Sequence, residues 1–226
     1  MFPRPLLMLA AWLALAAALP AAAAPVAPPT APAAESTAPP RVLMVTSLGE
    51  LVLELDPLAA PRTVANFLAY AREGHYNGTV FHRVVPGLLL QGGGFTPDLQ
   101  QKPAREPVPH EGGNGLSNRR GSLAAARDRG VRDSATTQFF INLADNPQFD
   151  GQPGDDPYSA GYAVFGRVVQ GMDVLDRIAA VPTGAQGPFQ AWVPRTPVLI
   201  ERVQLLETSP AASPAAEAAA DAEPGR

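Results

Sequence analysis

The feature that most constrains the fold is a series of short apolar runs between residues 41 and 206, separated by segments rich in Gly, Pro, Asn and Asp. Many short strands with turn-rich connections are typical of an antiparallel barrel or sandwich. A Leu48-Gly49 pair between the first two runs indicates a tight hairpin. The eight runs cover residues 42–47, 51–55, 79–84, 88–92, 122–126, 138–143, 162–168 and 198–205.

Two stretches with helical spacing interrupt the strands. The first, residues 61–73, begins with Pro61 and is followed by Gly74, which are common residues at the two ends of a helix. The second, residues 172–180, stops before Pro182. We therefore predict a mainly β fold, an eight-stranded antiparallel β-barrel closed by two α-helices. The apolar faces of these helices contain Val64, Phe67, Leu68, Ala71, Val174, Leu175 and Ile178.

The N-terminal 24 residues have the pattern of a secretory signal peptide. Arg4 precedes an apolar run over residues 6–19, and Pro20 and four alanines follow it. The alternative is an uncleaved membrane anchor, but the run is shorter than the ~20 residues that a spanning helix needs. We predict a signal peptide over 1–24 that is cleaved on export.

Residues 25–40 and 207–226 are dominated by Ala and Pro and contain few large apolar side chains. Such segments bury too little apolar surface to offset the entropy lost on ordering. We predict a disordered linker over 25–40, a folded domain over 41–206 and a disordered tail over 207–226.

The composition excludes several functions. With 17 Lys and Arg against 21 Asp and Glu, the chain does not favour nucleic-acid binding. The absence of Cys excludes disulfides, thiolate nucleophiles and Cys-based metal sites. His75, His82 and His110 are scattered without accompanying carboxylates, so we predict no metal site. We interpret His82 as a hydrogen-bonded core residue that points away from the face of Arg83.

Two segments carry the candidate chemistry. Residues 81–95 read F-H-R-V-V-P-G-L-L-L-Q-G-G-G-F, and residues 134–142 read S-A-T-T-Q-F-F-I-N. Because side chains alternate along a strand, Arg83 shares its face with Val85, and Gln138 with Phe140. If these faces converge, they form an apolar floor with a guanidinium and two amides at its edge.

These two segments resemble the signature of the cyclophilins. Residues 162–168, Y-A-V-F-G-R-V, and the Gly171-Met172 pair continue the resemblance, which runs in unbroken order over about 41–206 and is strongest to bacterial secreted members. It implies an eight-stranded barrel with a helix at each end and peptidyl-prolyl cis-trans isomerase activity without cofactor or metal. From it, together with the signal-peptide pattern, we predict a monomer in the periplasm that acts on proline-containing peptides and unfolded exported proteins.

The resemblance also assigns roles to individual residues. It gives catalytic roles to Arg83, Gln91 and Phe140. Two positions differ from the usual pattern: Leu88 replaces a phenylalanine, and Gln148 replaces a tryptophan or phenylalanine, so we expect low sensitivity to cyclosporin. The substrate-binding residues implied are Leu88, Leu89, Ala126, Arg127, Gln138, Phe149 and Tyr162.

Two other functions stay open at this point. Leu88 and Gln148 also suit a module that binds proline-rich peptides with weak catalysis, and the Ala/Pro-rich ends suit a structural protein of the cell envelope. Arg83 together with Gln91, Gln138 and Phe140 favours catalysis, because binding alone does not need a guanidinium in register with the pocket.

Overall fold

The computed structural model describes residues 38–152 and 156–206. The predicted signal peptide, most of the predicted linker and the predicted tail lie outside these residues. Within them, no helix combines the length and the apolar character needed to cross a membrane.

Eleven strands and two α-helices form the described part of the chain, with a single 3₁₀ turn at Pro147–Phe149. The elements in order are β1 Arg41–Thr46, β2 Gly49–Leu55, α1 Pro61–Arg72, β3 Thr79–Val80, β4 Arg83–Val85, β5 Leu89–Gly92, β6 Ser122–Ala125, β7 Phe139–Asn142, β8 Val164–Gln170, α2 Met172–Ala179, β9 Thr183–Gln186, β10 Phe189–Pro194 and β11 Leu199–Leu206.

Nine of these strands form one curled antiparallel sheet, in the order β3-β11-β1-β2-β8-β6-β7-β5-β4. Its two edge strands, β3 and β4, are successive pieces of one segment, so the sheet bends back toward its own beginning. The prediction of a mainly β, antiparallel fold with two helices is confirmed. One run is corrected: residues 79–84 form two strands, because the chain pairs with β11 up to Val80 and with β5 from Arg83 onward.

The hairpin β9–β10 was not predicted from the sequence. Its first strand contains only one apolar residue, Ala185, and Gly184, Gly187 and Pro188 interrupt the strand pattern. It covers a small apolar cluster in which Val80, Leu99 and Val193 are buried and Phe189 is partly buried. This hairpin therefore supports the sheet next to β4.

Alternate residues of the sheet serve two separate apolar clusters. Val84, Leu90, Leu123 and Ile141 belong to the main core inside the curled sheet. Their strand neighbours point the other way, and the second cluster is built on four buried members: Leu89, Ala124, Phe140 and Val164. Because side chains alternate along strands, one short stretch of sequence contributes to both the core and the outer cluster.

Helix α1 packs its apolar face against the main core. The ring of Phe67 lies 5.7 Å from that of Phe139 and 5.4 Å from that of Phe165, measured between ring centroids. The helix begins at Pro61, and the carboxylate of Glu111 accepts the backbone N–H groups of Arg62 and Thr63 at 3.0 and 2.8 Å. This contact satisfies free N–H groups of the first turn and attaches the long loop over 96–121 to the helix.

Candidate active site

A row of residues in register crosses five neighbouring strands on the outer face of the sheet. Arg83 on β4 pairs with Gln91 on β5, which pairs with Phe140 on β7. Phe140 pairs in turn with Ala124 on β6, and Ala124 with Val164 on β8. Strand pairing therefore places a guanidinium, an amide and an aromatic ring side by side, although their positions in the sequence are far apart.

The polar end of this row consists of Arg83, Gln91 and Gln138. Nη1 of Arg83 donates to Oε1 of Gln91 at 3.4 Å, and Nε2 of Gln91 donates to Oε1 of Gln138 at 2.9 Å. The first distance is long for a charge-assisted hydrogen bond, so the guanidinium is only loosely held. The Arg83 guanidinium makes no other hydrogen bond within the described residues, so its remaining N–H donors are available to a substrate.

The apolar end of the row is an aromatic cluster. The rings of Phe140, Phe149 and Tyr162 meet edge to face, with centroid distances of 5.7 Å, 5.2 Å and 5.4 Å. Leu89 is buried in the floor of this cluster, and Leu88 is partly buried beside it. The structure thus brings five of the predicted pocket residues together.

The predicted residues Ala126 and Arg127 follow directly after β6. The N–H of Ala126 donates to the carbonyl of Gln138 at 3.0 Å, which extends the pairing of β6 with the chain before β7. The guanidinium of Arg127 lies 5.2 Å from the ring centroid of Tyr162. Its N–H groups donate to the backbone carbonyls of Gly161 and Pro157 in one loop and approach that of Val131 in another, so this side chain is held by the protein itself.

A buried amide network beneath the pocket was not predicted. Asn142 is fully buried, and its Nδ2 donates to Oδ1 of Asn118 at 3.1 Å and to Oγ of Ser122 at 2.8 Å. Its Oδ1 accepts Nδ2 of Asn146 at 2.7 Å, and the same Nδ2 donates to the carbonyl of Leu88 at 2.9 Å. Buried polar groups paired in this way fix a unique arrangement of the chain around them.

This network also holds the other two walls of the pocket. The backbone N–H and Nδ2 of Asn118 donate to Oδ1 of Asp150 at 2.7 and 2.9 Å. Nδ2 of Asn118 also approaches the carbonyl of Tyr162 at 3.4 Å, and the N–H of Phe149 donates to the carbonyl of Asn146 at 2.9 Å. Leu88, Phe149 and Tyr162 therefore share one support. An asparagine among the apolar residues of β7 was the signal in the sequence.

His82 lies behind the polar end and is buried, as the sequence predicted. Its ring stands 4.5 Å from that of Phe95 and 5.4 Å from that of Phe189, measured between centroids. We predicted that the ring is hydrogen-bonded, and this is wrong for Nδ1, which has no hydrogen-bond partner in the described part of the chain. Burial, together with the charge of Arg83, lowers the pKa of His82 to about 4, and the Val80 backbone offsets only part of this effect.

Comparison with a protein-family model shows the family to which this chain belongs. The model for the cyclophilin type peptidyl-prolyl cis-trans isomerases matches residues 41–205 of this chain. The chain belongs to the cyclophilin family. As a cyclophilin it is a peptidyl-prolyl cis-trans isomerase, and its substrates are proline-containing peptides.

Bacterial cyclophilins are similar over nearly their whole length. The chain is 47% identical over 172 residues to peptidyl-prolyl cis-trans isomerase A of Dickeya dadantii, covering 76% of this chain and 87% of the relative. It is 49% identical over 162 residues to isomerase B of Escherichia coli, covering 72% and 97%. A crystal structure of a Cryptosporidium parvum cyclophilin matches with a TM-score of 0.63 at 25% identity, covering 75% and 99%.

The two positions at which this cyclophilin differs from the usual pattern both contact the amide network. The carbonyl of Leu88 accepts Nδ2 of Asn146. Gln148 is exposed, and its Nε2 donates to Oδ1 of Asn146 at 3.0 Å. The amide of Gln148 is therefore directed toward the network beneath the pocket. Low sensitivity to cyclosporin stays a prediction.

Proposed function

We propose that this cyclophilin accelerates rotation about Xaa-Pro bonds of exported polypeptides, with Arg83 as the hydrogen-bond donor to the prolyl amide and the aromatic cluster as the proline pocket. The observation that carries this proposal is the cross-strand row. It sets the guanidinium of Arg83 one strand away from Gln91 and two strands away from Phe140, on a single face.

Rotation about an Xaa-Pro bond requires few catalytic groups. The barrier of about 18–20 kcal/mol is the resonance energy of the amide, and no covalent bond is made or broken when the bond rotates. As the bond twists, the prolyl nitrogen becomes pyramidal and regains a lone pair that accepts a hydrogen bond. A pocket that holds the proline ring and a donor that meets this nitrogen are therefore sufficient.

Arg83 suits the role of donor. A guanidinium is a planar fork with five N–H donors, so it can hold a substrate carbonyl and still address the nitrogen. A hydrogen bond to a charged group contributes about 1.5–3 kcal/mol, which corresponds to roughly 10- to 100-fold in rate. Only the part of this energy that exceeds ground-state binding accelerates the reaction.

The remaining residues of the groove bind and orient the peptide. Phe140, Phe149, Leu88 and Leu89 hold the proline ring through apolar contact. Gln91 and Gln138, which are joined by a 2.9 Å hydrogen bond, address the substrate backbone. The chain next to Ala126 and Arg127 supplies the edge along which the peptide lies, and Tyr162 closes the pocket on that side.

The site assignment is tested by titrating the isotope-labelled protein with the dipeptide Ala-Pro. A cyclophilin of Cryptosporidium parvum with 25% identity and a TM-score of 0.62 was crystallised in the presence of this dipeptide. We expect NMR shift changes at Arg83, Gln91, Phe140, Phe149 and Tyr162, and none with Ala-Ala. Shift changes confined to the β9–β10 hairpin would contradict the assignment.

The cellular setting follows from the N-terminal pattern. A charged start, a short apolar run and small residues before Pro25 are typical of a cleaved signal, so we place the monomeric mature protein in the periplasm. It would there accelerate a folding step that otherwise takes tens to hundreds of seconds. Intact-mass analysis of the periplasmic fraction should give a chain that starts near Ala24 or Pro25. A mass that includes Met1, found with the membranes, would refute this location.

A further inference from the structure

An exposed apolar pair lies next to the proposed groove. Within the described residues, the exposed large hydrophobic side chains are Leu58, Val131, Tyr158 and Trp192. Val131 and Tyr158 are 52% and 64% exposed, and they belong to two loops that meet beside Tyr162. Single exposed apolar residues need no explanation, but two of them at the edge of a binding groove suggest a contact with the ligand.

Arg127 joins the two loops that carry this pair. Its Nε donates to the carbonyl of Gly161 at 2.7 Å, and its Nη2 donates to the carbonyl of Pro157 at 2.8 Å. Its Nη1 approaches the carbonyl of Val131 at 3.4 Å. One guanidinium thus contacts the backbone at Val131 and at the residue before Tyr158, so the two exposed side chains lie near each other.

The ring of Tyr158 is held in place from below. It lies over Gly130, where an added Cβ would stand 3.0 Å from both Cζ and Oη of the tyrosine. The guanidinium of Arg129 lies 5.8 Å from the ring centroid. Because the ring is already held in place while its surface is exposed, a ligand that covers it loses little additional entropy.

We propose that Tyr158 and Val131 form a subsite for a bulky apolar side chain of the substrate polypeptide, outside the isomerised proline. The inference rests on the proposed groove, and Tyr162 is the link between the two. One side of the Tyr162 ring contacts Phe140 and Phe149, and the guanidinium of Arg127 lies 5.2 Å from its centroid. Tyr158 and Tyr162 are four residues apart in the chain, so their Cα atoms are at most about 14 Å apart, a distance that a few extended residues of a substrate can span.

The position of Tyr158 and Val131 beside the groove favours the substrate polypeptide as their ligand. The pair is joined to the proposed groove through Arg127, whose guanidinium lies beside the Tyr162 ring and contacts the backbone of both loops. Its exposed side chains are an aromatic ring and a valine. An unfolded polypeptide exposes the apolar side chains that such a surface would cover. Covering them on the enzyme removes apolar area from water on both partners.

The test uses peptides that contain a central Ala-Pro with three residues on each side. At each of these six positions in turn, a peptide with leucine is compared with a peptide with glycine. Isomerisation is measured by NMR exchange on the full mature chain. We expect one position at which leucine raises kcat/KM at least fivefold over glycine. In the double variant Val131→Ser with Tyr158→Ser this ratio should fall below about twofold, an effect equivalent to the loss of one apolar contact.

Leu58→Ser is the matched control, because Leu58 is 94% exposed and lies in the turn before α1. It should keep the leucine preference, and Tyr158→Phe should keep it too, since the ring is retained. The inference is overturned if no position prefers leucine in the parent, if the double variant keeps the preference, or if Tyr158→Phe loses it. The parent remains an active isomerase in each of these cases, so the proposed role of Arg83 is judged separately.

Discussion

The two ends of the groove are held in contrasting ways. At the apolar end, Phe140 is buried. The backbone of Leu88, Phe149 and Tyr162, which form the walls, is hydrogen-bonded to the amide network of Asn142. At the polar end, Arg83 is only partly buried and makes one 3.4 Å hydrogen bond to Gln91. The pocket is therefore part of the folded framework, whereas the donor is attached to it. Substitutions at the apolar end should reduce stability and activity together, and those at the polar end activity alone.

The largest stability effect should come from Phe140→Ala. Truncating a buried aromatic residue costs about 3–5 kcal/mol of unfolding free energy, because apolar contact is lost and a cavity remains. Activity should fall as well, since the proline pocket loses its central ring. Urea denaturation with a parallel isomerase assay measures both, and Phe140→Leu should recover most of the stability. A variant that stays within about 1 kcal/mol of the parent would show that the pocket is not part of the framework.

Asn142→Leu should have the next largest effect. Its amide pairs with Asn118, Ser122 and Asn146, and of these Asn146 keeps its bond to the Leu88 carbonyl. Each of the two other groups left without this partner costs about 1–3 kcal/mol, so we expect a total of about 3 kcal/mol. KM should rise more than kcat falls, because the walls shift while Arg83 stays in place. The control is Gln148→Leu, an exposed member of the same network, which should change stability by less than about 0.5 kcal/mol. Equal effects of the two variants would contradict a buried support.

A smaller effect should appear when the pH is lowered. The pKa of His82 is about 4 in the folded protein, so between that value and the ordinary value near 6.5 the unfolded chain binds the extra proton. Stability therefore falls as the pH decreases through this range, and His82 accounts for about 2 kcal/mol of the loss between pH 7.5 and 5. Burial also lowers the pKa of His75 and His110, which act in the same direction.

Denaturation curves of the parent and of His82→Gln across that pH range measure how much of the stability loss is due to His82. The variant should lose less stability than the parent as the pH decreases, although it starts from a lower value at pH 7.5. Parallel curves for the two proteins would show that His82 is protonated equally in the folded and unfolded states, and the burial argument would fail.

The smallest stability effect should come from Gln91→Ala at the polar end. Loss of a neutral hydrogen bond costs about 0.5–1.5 kcal/mol, so kcat/KM should fall roughly three- to tenfold. The unfolding free energy should stay within about 0.5 kcal/mol, since Gln91 is partly exposed and its amide bonds only side chains. If Gln91→Ala lost as much stability as Asn142→Leu, both ends of the groove would be parts of the folded framework.

Much of the fold could be predicted because it depends on local patterns. Short apolar runs between turn-rich segments indicated the eight predicted strands, and helical spacing between a proline and a glycine located α1. The division of the 79–84 run could not be predicted, because it depends on which distant strand each half meets. The β9–β10 hairpin also escaped prediction, since glycine and proline interrupt its pattern and its support comes from packing against residues near β4.

The candidate site divides in the same way. Arg83, Gln91 and Phe140 stand in recognisable segments, and strand pairing then places them in one row. The amide network joins Asn118, Asn142 and Asn146 with Asp150. Asn142 is conspicuous among the apolar residues of β7, but no local pattern marks the partners that it meets only after folding. Arg127 shows a related limit: its place beside the groove was expected, but its hydrogen bonds to two loops depend on the tertiary structure.

The role of Arg83 as a forked donor is tested by kcat/KM of Arg83→Lys on an Ala-Pro peptide, measured together with the unfolding free energy of the variant. Lysine keeps the charge but supplies a mobile point donor that cannot hold a carbonyl and address the nitrogen at once. We expect kcat/KM to fall by about one to three orders of magnitude, or about 1.4–4 kcal/mol, with Arg83→Ala losing at least as much. Both variants should keep their stability within roughly 1 kcal/mol of the parent. A lysine variant nearly as active as the parent would contradict the forked donor, and two inactive, unfolded variants would make Arg83 a structural residue.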